Sequence, residues 1–409
     1  MVHQTINTKI TKAANASTTN NHMSTFSRWT TATRALPWLL PSIVGMLLGA
    51  CSSAPPWPEP GPTASPVYEK EPLAPPAGEA IKQARSLWTP VAWSELPGWS
   101  QDDIGQAWPA WVRSCGKPSQ AWVQTCQNIR ALASADAQTQ RDWAMRALQP
   151  YRVTAPDGQA QGLLTAYYEP VLQASRRATS DFNVPLYAPP AGLRSGTPWY
   201  SRQEMDTLPQ AQRALQGRTL MYLRDPIDAM ILHIQGSGLL QVTEPDGLVR
   251  DVRLAFAGTN EQPYRSIGKW LLDRKLVRDA SWPGIKAWIA QNPQRTQELL
   301  WSNPRVVFFK EQGLPSGVEP PGPTGAQGVP LSAGRSIAVD RQSIPYGTPV
   351  WLVSDGPTTR LQRLVLAQDT GAAIVGAVRA DYFIGPGQEA GELAGRLKQN
   401  LQLWALWPR

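Results

Sequence analysis

The chain has 409 residues, carries 39 Lys and Arg against 31 Asp and Glu for a net charge of +8, and holds 18 tryptophans. Its three histidines and three cysteines form no Cys-x-x-Cys pair or His-rich cluster, which argues against a metal site, and no cofactor is expected. The basic residues are scattered, with no dense run that would serve as a docking stripe for nucleic acid.

Residues 1–34 are polar, and the apolar run "LPWLLPSIVGMLLGAC" then stops at Cys51. At roughly 15 residues the run is short for a membrane span and suits the core of a signal peptide. Leu48-Gly49-Ala50-Cys51 reads as a lipobox. The expectation is a signal peptide over 1–50 and diacylglycerol on the Cys51 thiol. Acyl chains contribute about 0.8 kcal/mol per buried methylene and anchor without a spanning helix. Ser52 in place of Asp favours the periplasmic face of the outer membrane. The plainer alternative is an ordinary cleaved signal with a chance cysteine. The translation start is open between Met1 and Met23.

Export places Cys115 and Cys126 in an oxidising space, where a disulfide is expected and two buried thiols are the alternative. Lipid headgroups and the cell wall are the anionic partners there. Tryptophan faces stack on sugar rings as well as filling cores, which adds weight to a saccharide partner.

Residues 51–78 are a Pro-rich tether. Apolar residues then recur at helical spacing over 79–150. From Tyr151 the segments are short, β-rich and broken by Gly and Pro, with a hairpin turn at Pro245-Asp246-Gly247. "YRSIGKWLLDRKLV" and "WPGIKAWIAQNPQRTQELLWSNP" return to helix, and "RVVFFKEQ" to strand. After a Pro- and Gly-rich loop, "GRSIAVD", "TPVWLVSD", "LQRLVLAQD", "VRADYFIG", a helix at "QEAGELAGRLKQ" and "LQLWALWP" suggest a small closed barrel.

Asp369-Thr370-Gly371 is the turn on which an aspartic protease carries its carboxylate, but that chemistry needs two such carboxylates and the chain has one triplet. A closer partner is Asp381, reached through the Gly-rich link "TGAAIVG". Two neighbouring carboxylates resist double ionisation, so one keeps a proton near neutrality and can act as a general acid. The plain alternative is that Asp369 caps its own turn. Asp381 stands among Tyr382, Phe383 and Ile384, where an idle carboxylate is costly.

The segment from "LAQDTGAAIVGAVRADYFIG" to "LQLWALWP" resembles the C-terminal part of the membrane-bound lytic murein transglycosylase A family. So do "GLLTAYYEPVLQAS", "MILHIQGSGLLQ", "YRSIGKWLLDR", "NPRVVFFKE" and "PLSAGRSIAVDRQSIPYGTPVWL", in family order over about residues 150–408. The resemblance implies a mainly β, α+β protein with a groove between two domains. A double-psi β-barrel with N-terminal helices would be built from 79–172 and 305–409, with a mostly β, glycan-binding insert at 173–304. It implies that Asp381 is the single catalytic aspartate and Asp369 its support. It departs from the family's Asp-x-Gly-Gly-Ala-Ile at Ala372, which replaces the second glycine. Tyr167, Tyr168, Gln235, Gly236, Ser237, Gly238 and Arg379 are the expected substrate contacts, the alternative for the first six being a turn with buried aromatics. The implied reaction cleaves peptidoglycan between N-acetylmuramic acid and N-acetylglucosamine and leaves 1,6-anhydro ends. A non-catalytic wall-binding lipoprotein and a hydrolase using water are the alternatives. A wall-synthesis or division complex is compatible with such a protein.

Overall fold

The computed structural model describes residues 78–314 and 320–409; the signal segment, Cys51 and nearly all of the tether lie outside them. The chain enters through strands β1 (Ile81–Lys82) and β2 (Leu87–Pro90), passes through helices α1 (Trp108–Ser114), α2 (Thr125–Ala131) and α3 (Ala137–Ala147), and leaves through β3 (Leu148–Thr154). The helical pattern expected over 79–150 is thus bracketed by strands, and its helices are short. Gly116 and Pro118 follow α1 immediately, and both oppose continuation of a helix. Asp136 starts α3 by accepting from the N–H groups of Gln138 and Thr139. Cys115 caps α1, Cys126 lies in α2, and the two form a disulfide with Cα atoms 5.4 Å apart.

β4 (Gly162–Glu169) follows, and then the chain builds a second sheet from β5 (Val171–Ser175), β6 (Val184–Tyr187), β7 (Thr219–Leu223), β8 (Gly238–Thr243), β9 (Val249–Thr259) and β10 (Val307–Gly313). Its order is β10-β9-β8-β5-β7-β6, and β8 and β9 form the hairpin around the Pro-Asp-Gly turn. Helices α4 (Arg202–Thr207), α5 (Pro209–Leu215), α6 (Pro226–Gln235), α7 (Ile267–Asp273), α8 (Trp282–Gln291) and α9 (Thr296–Trp301) accompany this sheet. The expected insert boundaries, 173 and 304, need correction. Position 173 falls inside β5, and β10 pairs with β9 rather than with any barrel strand. Backbone pairing decides the boundary, and "RVVFFKEQ" carries no sign of which sheet it joins.

β11 (Ser336–Val339), β12 (Pro349–Asp355), β13 (Arg360–Asp369), β14 (Arg379–Pro386), helix α10 (Gln388–Arg396) and β15 (Lys398–Pro408) complete the chain. The ring β4-β14-β11-β13-β12-β15 closes through the β15–β4 pairing. Side chains alternate across each strand, so every second residue points inward. Leu164, Ile337, Val339, Val365, Ala367, Ala380, Tyr382 and Leu403 meet in one buried interior cluster. On the exterior of β12, β13 and β15, Trp351, Leu364, Leu366 and Trp404 meet the tryptophans of the N-terminal helices. Trp108, Trp111 and Trp122 are at most 2% exposed, so much of the tryptophan content is core rather than sugar-facing. A buried ion pair, Arg335 Nη1 to Asp102 Oδ2 at 2.7 Å, ties this helical layer to the barrel. The exterior of β4, β11 and β14 is where the carboxylates stand.

Candidate active site

Strand register brings Asp369 and Asp381 into one row. β11 lies between β13 and β14, and its Ala338 is the partner of Asp369 on one side and of Asp381 on the other. Asp381 is in turn opposite Thr165 on β4. Ala380 and Tyr382 face the interior, so Asp381 faces out. Asp369 has the parity of interior Ala367. An irregularity at Ile337/Ala338 skips Gln368 and sets Asp369 opposite Ala338. Bulges of this kind re-aim a side chain, here a carboxylate.

The hydrogen bonds separate the two acids. Asp369 uses both oxygens: Oδ1 accepts from the Ala326 N–H at 2.9 Å and Oδ2 from the Tyr167 hydroxyl at 2.9 Å. Asp381 Oδ1 accepts from the Thr165 hydroxyl. That hydroxyl accepts from Arg379 Nη2 at 2.8 Å. Guanidinium can only donate, so the Thr165 proton must point to Asp381. Asp381 Oδ2 has no hydrogen-bond partner among the described residues, and no ion pair is formed by Asp381 there.

Burial pushes the Asp381 carboxyl up, while the Thr165 hydroxyl and the Arg379 charge pull it back. Burial pushes Asp369 to about 6 despite three hydrogen-bond donors, and the Asp381 charge adds to the rise. Two neighbouring carboxyls repel one another's charge. That repulsion is mutual and raises the pair together, and Arg379 beside Asp381 offsets part of the rise there. Tyr167 is held well above its ordinary value by burial and by both carboxylates, so it remains a donor.

The Asp369 shift carries a stability cost with a definite sign. A carboxyl raised on folding costs nothing below its unfolded value near 4 and its full amount above about 6. Asp369→Asn is therefore expected to stabilise the fold at pH 7.5 and to change little at pH 3.5. Each tenfold change in proton affinity is worth about 1.36 kcal/mol. Discounted for partial exposure, the gain is about 1–2 kcal/mol. Urea unfolding at both pH values measures it, and a variant no more stable than the native chain at pH 7.5 contradicts the assignment.

The remaining expected site residues are distributed differently. Tyr167 packs on Phe383 with ring centroids 5.2 Å apart, on the face of the carboxylates. Tyr168 points the other way, against α10, and lines a cleft of about 770 Å³ with Trp282, Lys286 and Glu392. Neither carboxylate lines that cleft. Gln235 ends α6, and its Oε1 accepts from the Tyr168 N–H at 3.0 Å. Gly236 caps the helix at φ 84°, a left-handed conformation that favours glycine. Ser237 lies beside Glu169 and helps hold its carboxyl down. Gly238 approaches so closely that a Cβ would lie 2.6 Å from Leu232 Cδ1. Gln235 Oε1 and Ser237 thus have neighbours within the protein, at the seam between barrel and insert. Arg379 shares the face of Asp381 and bonds Thr165. Ala372 is unstrained: among described non-glycine residues, only Glu261 and Lys275 have positive φ.

Thr165 went unread, although it opens "TAYYEP" and lies two residues before Tyr167, hence on the same strand face. The Ala326 N–H could not be read, because a backbone donor has no sequence signature. Among the described residues, no group of three or more His, Cys, Asp or Glu could hold a metal ion.

A closed barrel interrupted by a second sheet, with two exterior carboxylates held by hydroxyls, defines a class, and comparison with known proteins gives the same one. Residues 163–310 match the model described as the MltA specific insert domain, and residues 335–407 match the 3D domain. The membrane-bound lytic murein transglycosylase A of Vibrio cholerae is 35% identical over 291 residues, covering 68% of this chain and 73% of that protein. The structure of LtgG, a lytic transglycosylase of Burkholderia pseudomallei, aligns at 43% identity and TM-score 0.54, covering 82% of this chain and 99% of that one. That of Escherichia coli MltA with bound chitohexaose aligns at 26% identity and TM-score 0.61, covering 82% and 95%. The chain belongs to the membrane-bound lytic murein transglycosylase A family.

Proposed function

We propose that this chain is a lytic transglycosylase that cleaves the β-1,4 bond from N-acetylmuramic acid to N-acetylglucosamine in peptidoglycan, with Asp381 as the acid and then the base. The observation that carries the residue assignment is the bare Oδ2 of Asp381 beside an Asp369 whose oxygens are both occupied. Protonated Asp381 gives its proton to the leaving O4 of N-acetylglucosamine as the C1–O4 bond breaks. The muramyl C6 hydroxyl then attacks C1, the C1–O6 bond forms, and the hydroxyl proton passes to Asp381. No water is consumed, and the acid is restored. An attached, aligned nucleophile can have an effective molarity of about 10⁵ M or more, so one carboxylate used twice suffices. Thr165 and Arg379 fix the carboxylate's rotamer, and Asp369 holds Tyr167 as a donor beside the pair.

Membrane attachment fits this reading through the lipobox at Cys51, which would hold the enzyme on the periplasmic face of the outer membrane. No helix among the described residues is long and apolar enough to cross a membrane. The test is digestion of purified murein with the full chain, followed by mass spectrometry. Anhydromuropeptides are expected. Products heavier by one water would make it a hydrolase, and intact murein would make it a binding protein.

A further inference from the structure

Helices α4, α7 and α9 of the insert border a second, open cleft of about 630 Å³, to which the barrel contributes no residue. Trp270 and Trp301 line it together with Tyr264, Arg265, Arg274 and Gln203. The Arg274 guanidinium lies 4.1 Å from the Trp270 ring centroid, and the Trp301 indole N–H donates to Asp206 at 2.7 Å. These contacts hold both rings and orient one guanidinium. Lys269 is engaged by Asp273. Arg265 anchors only through its backbone N–H, to Asn303, and its guanidinium has no hydrogen bond or ion pair among the described residues. Arg274 likewise has no ion pair there.

Packing accounts for part of this. Trp270 borders the apolar cluster of α6–α9 and has a structural reason to be there. It does not account for two guanidinium groups that form no direct ion pair beside two indoles, with Asp273 at the cavity wall already engaged by Lys269, and Glu298 only in electrostatic reach of Arg274. Such groups bind carboxylates in bidentate fashion, and indole faces cover sugar rings and aliphatic stems. A neutral glucosamine polymer offers the rings without the charge. Peptidoglycan offers both, since the peptide stem on each muramyl lactate carries free carboxylates.

We infer that this cavity is an accessory binding site for the acidic peptide stem of a muramyl residue, gripping the wall at a point separate from the carboxylate pair. The inference rests on the proposed action on peptidoglycan and adds a second foothold to it. It also gives the family insert a task beyond walling the groove, because all six lining residues named above belong to it.

The test uses calorimetric titration of the full chain carrying Asp381→Asn, in which turnover is expected to be slowed and binding retained. The probes are the soluble disaccharide tetrapeptide of murein and neutral chitohexaose. Adding Arg265→Ala and Arg274→Ala, both on exposed side chains, is expected to weaken disaccharide-tetrapeptide binding by about tenfold and to leave chitohexaose binding unchanged. Unchanged affinity for the peptide-bearing probe overturns the inference, as does an equal loss for both probes. A separate measurement isolates the underlying reading. On glycan strands stripped of stems by an amidase, the active chain with and without the two Arg substitutions should release anhydro products at the same rate. Failure of the native chain to release anhydro products from intact murein removes the catalytic proposal, whereas a slower rate on stripped strands in the substituted chain alone removes the accessory site.

Discussion

Asp381→Asn lowers the release of anhydromuropeptides by about 10² to 10⁴, the usual worth of a positioned general acid, while glycan binding persists. The reason lies in the hydrogen-bond inventory. Asn can still accept from the Thr165 hydroxyl, so the row Arg379–Thr165–position 381 stays assembled. It cannot deliver a proton from the second atom, which is the bare one. KM should therefore change little and kcat should carry the loss. The native rate should also depend on acid. Burial raises both carboxyls, Asp369 to about 6, so the pair loses its proton as pH climbs through and beyond that value, and turnover falls in that direction. Asp369→Asn removes the neighbouring charge without removing the acid, so it slows the reaction less. Turnover by Asp381→Asn within a few-fold of the native chain would mean that the acid is another group.

Arg253→Ala costs about 3–5 kcal/mol of folding stability, the largest stability effect expected from a single change in the insert. Arg253 and Glu169 are each 1% exposed and paired by two hydrogen bonds, of 2.8 and 3.0 Å. Burial pushes the Glu169 carboxyl up, and Arg253 and Ser237 pull it back. Without Arg253 a buried carboxylate is stranded where β4 passes into β5, so the seam between barrel and insert opens. The deficit should shrink in acid, where Glu169 takes up a proton. The double change Glu169→Gln with Arg253→Met removes both charges and should restore most of the loss, because no buried charge remains unmatched. Guanidinium unfolding of the three chains gives the numbers. The restored double variant should still yield anhydro products, since both Glu169 oxygens are taken by Arg253. Loss of product from a stable double variant would mean that Glu169 takes part in the chemistry.

Much of the barrel could be read in advance because alternation is local. "LQRLVLAQD" and "LQLWALWP" announce strands through residues that are neighbours in the chain, and the structure has strands over Arg360–Asp369 and Lys398–Pro408. Asp381 stood out because a costly residue type in an apolar strand calls for a use, Asp369 through its Asp-Thr-Gly turn, and the structure sets both opposite Ala338. The disulfide partners were legible as the two cysteines left after Cys51. Tertiary structure decided the rest. Tyr167 and Tyr168 are adjacent in sequence, yet strand geometry sends one to the carboxylates and the other to a separate cleft. "QGSG" reads as a sugar contact or as a turn, and only the folded chain shows its neighbours, Glu169 and Tyr168, at the seam. The membership of β10, the bulge that turns Asp369 outward, and the choice of which carboxylate keeps an oxygen free all depend on partners far away along the chain. Periodicity reports what one residue does relative to its neighbours. Register, burial and charge pairing are properties of segments that meet only after folding, so no local pattern encodes them.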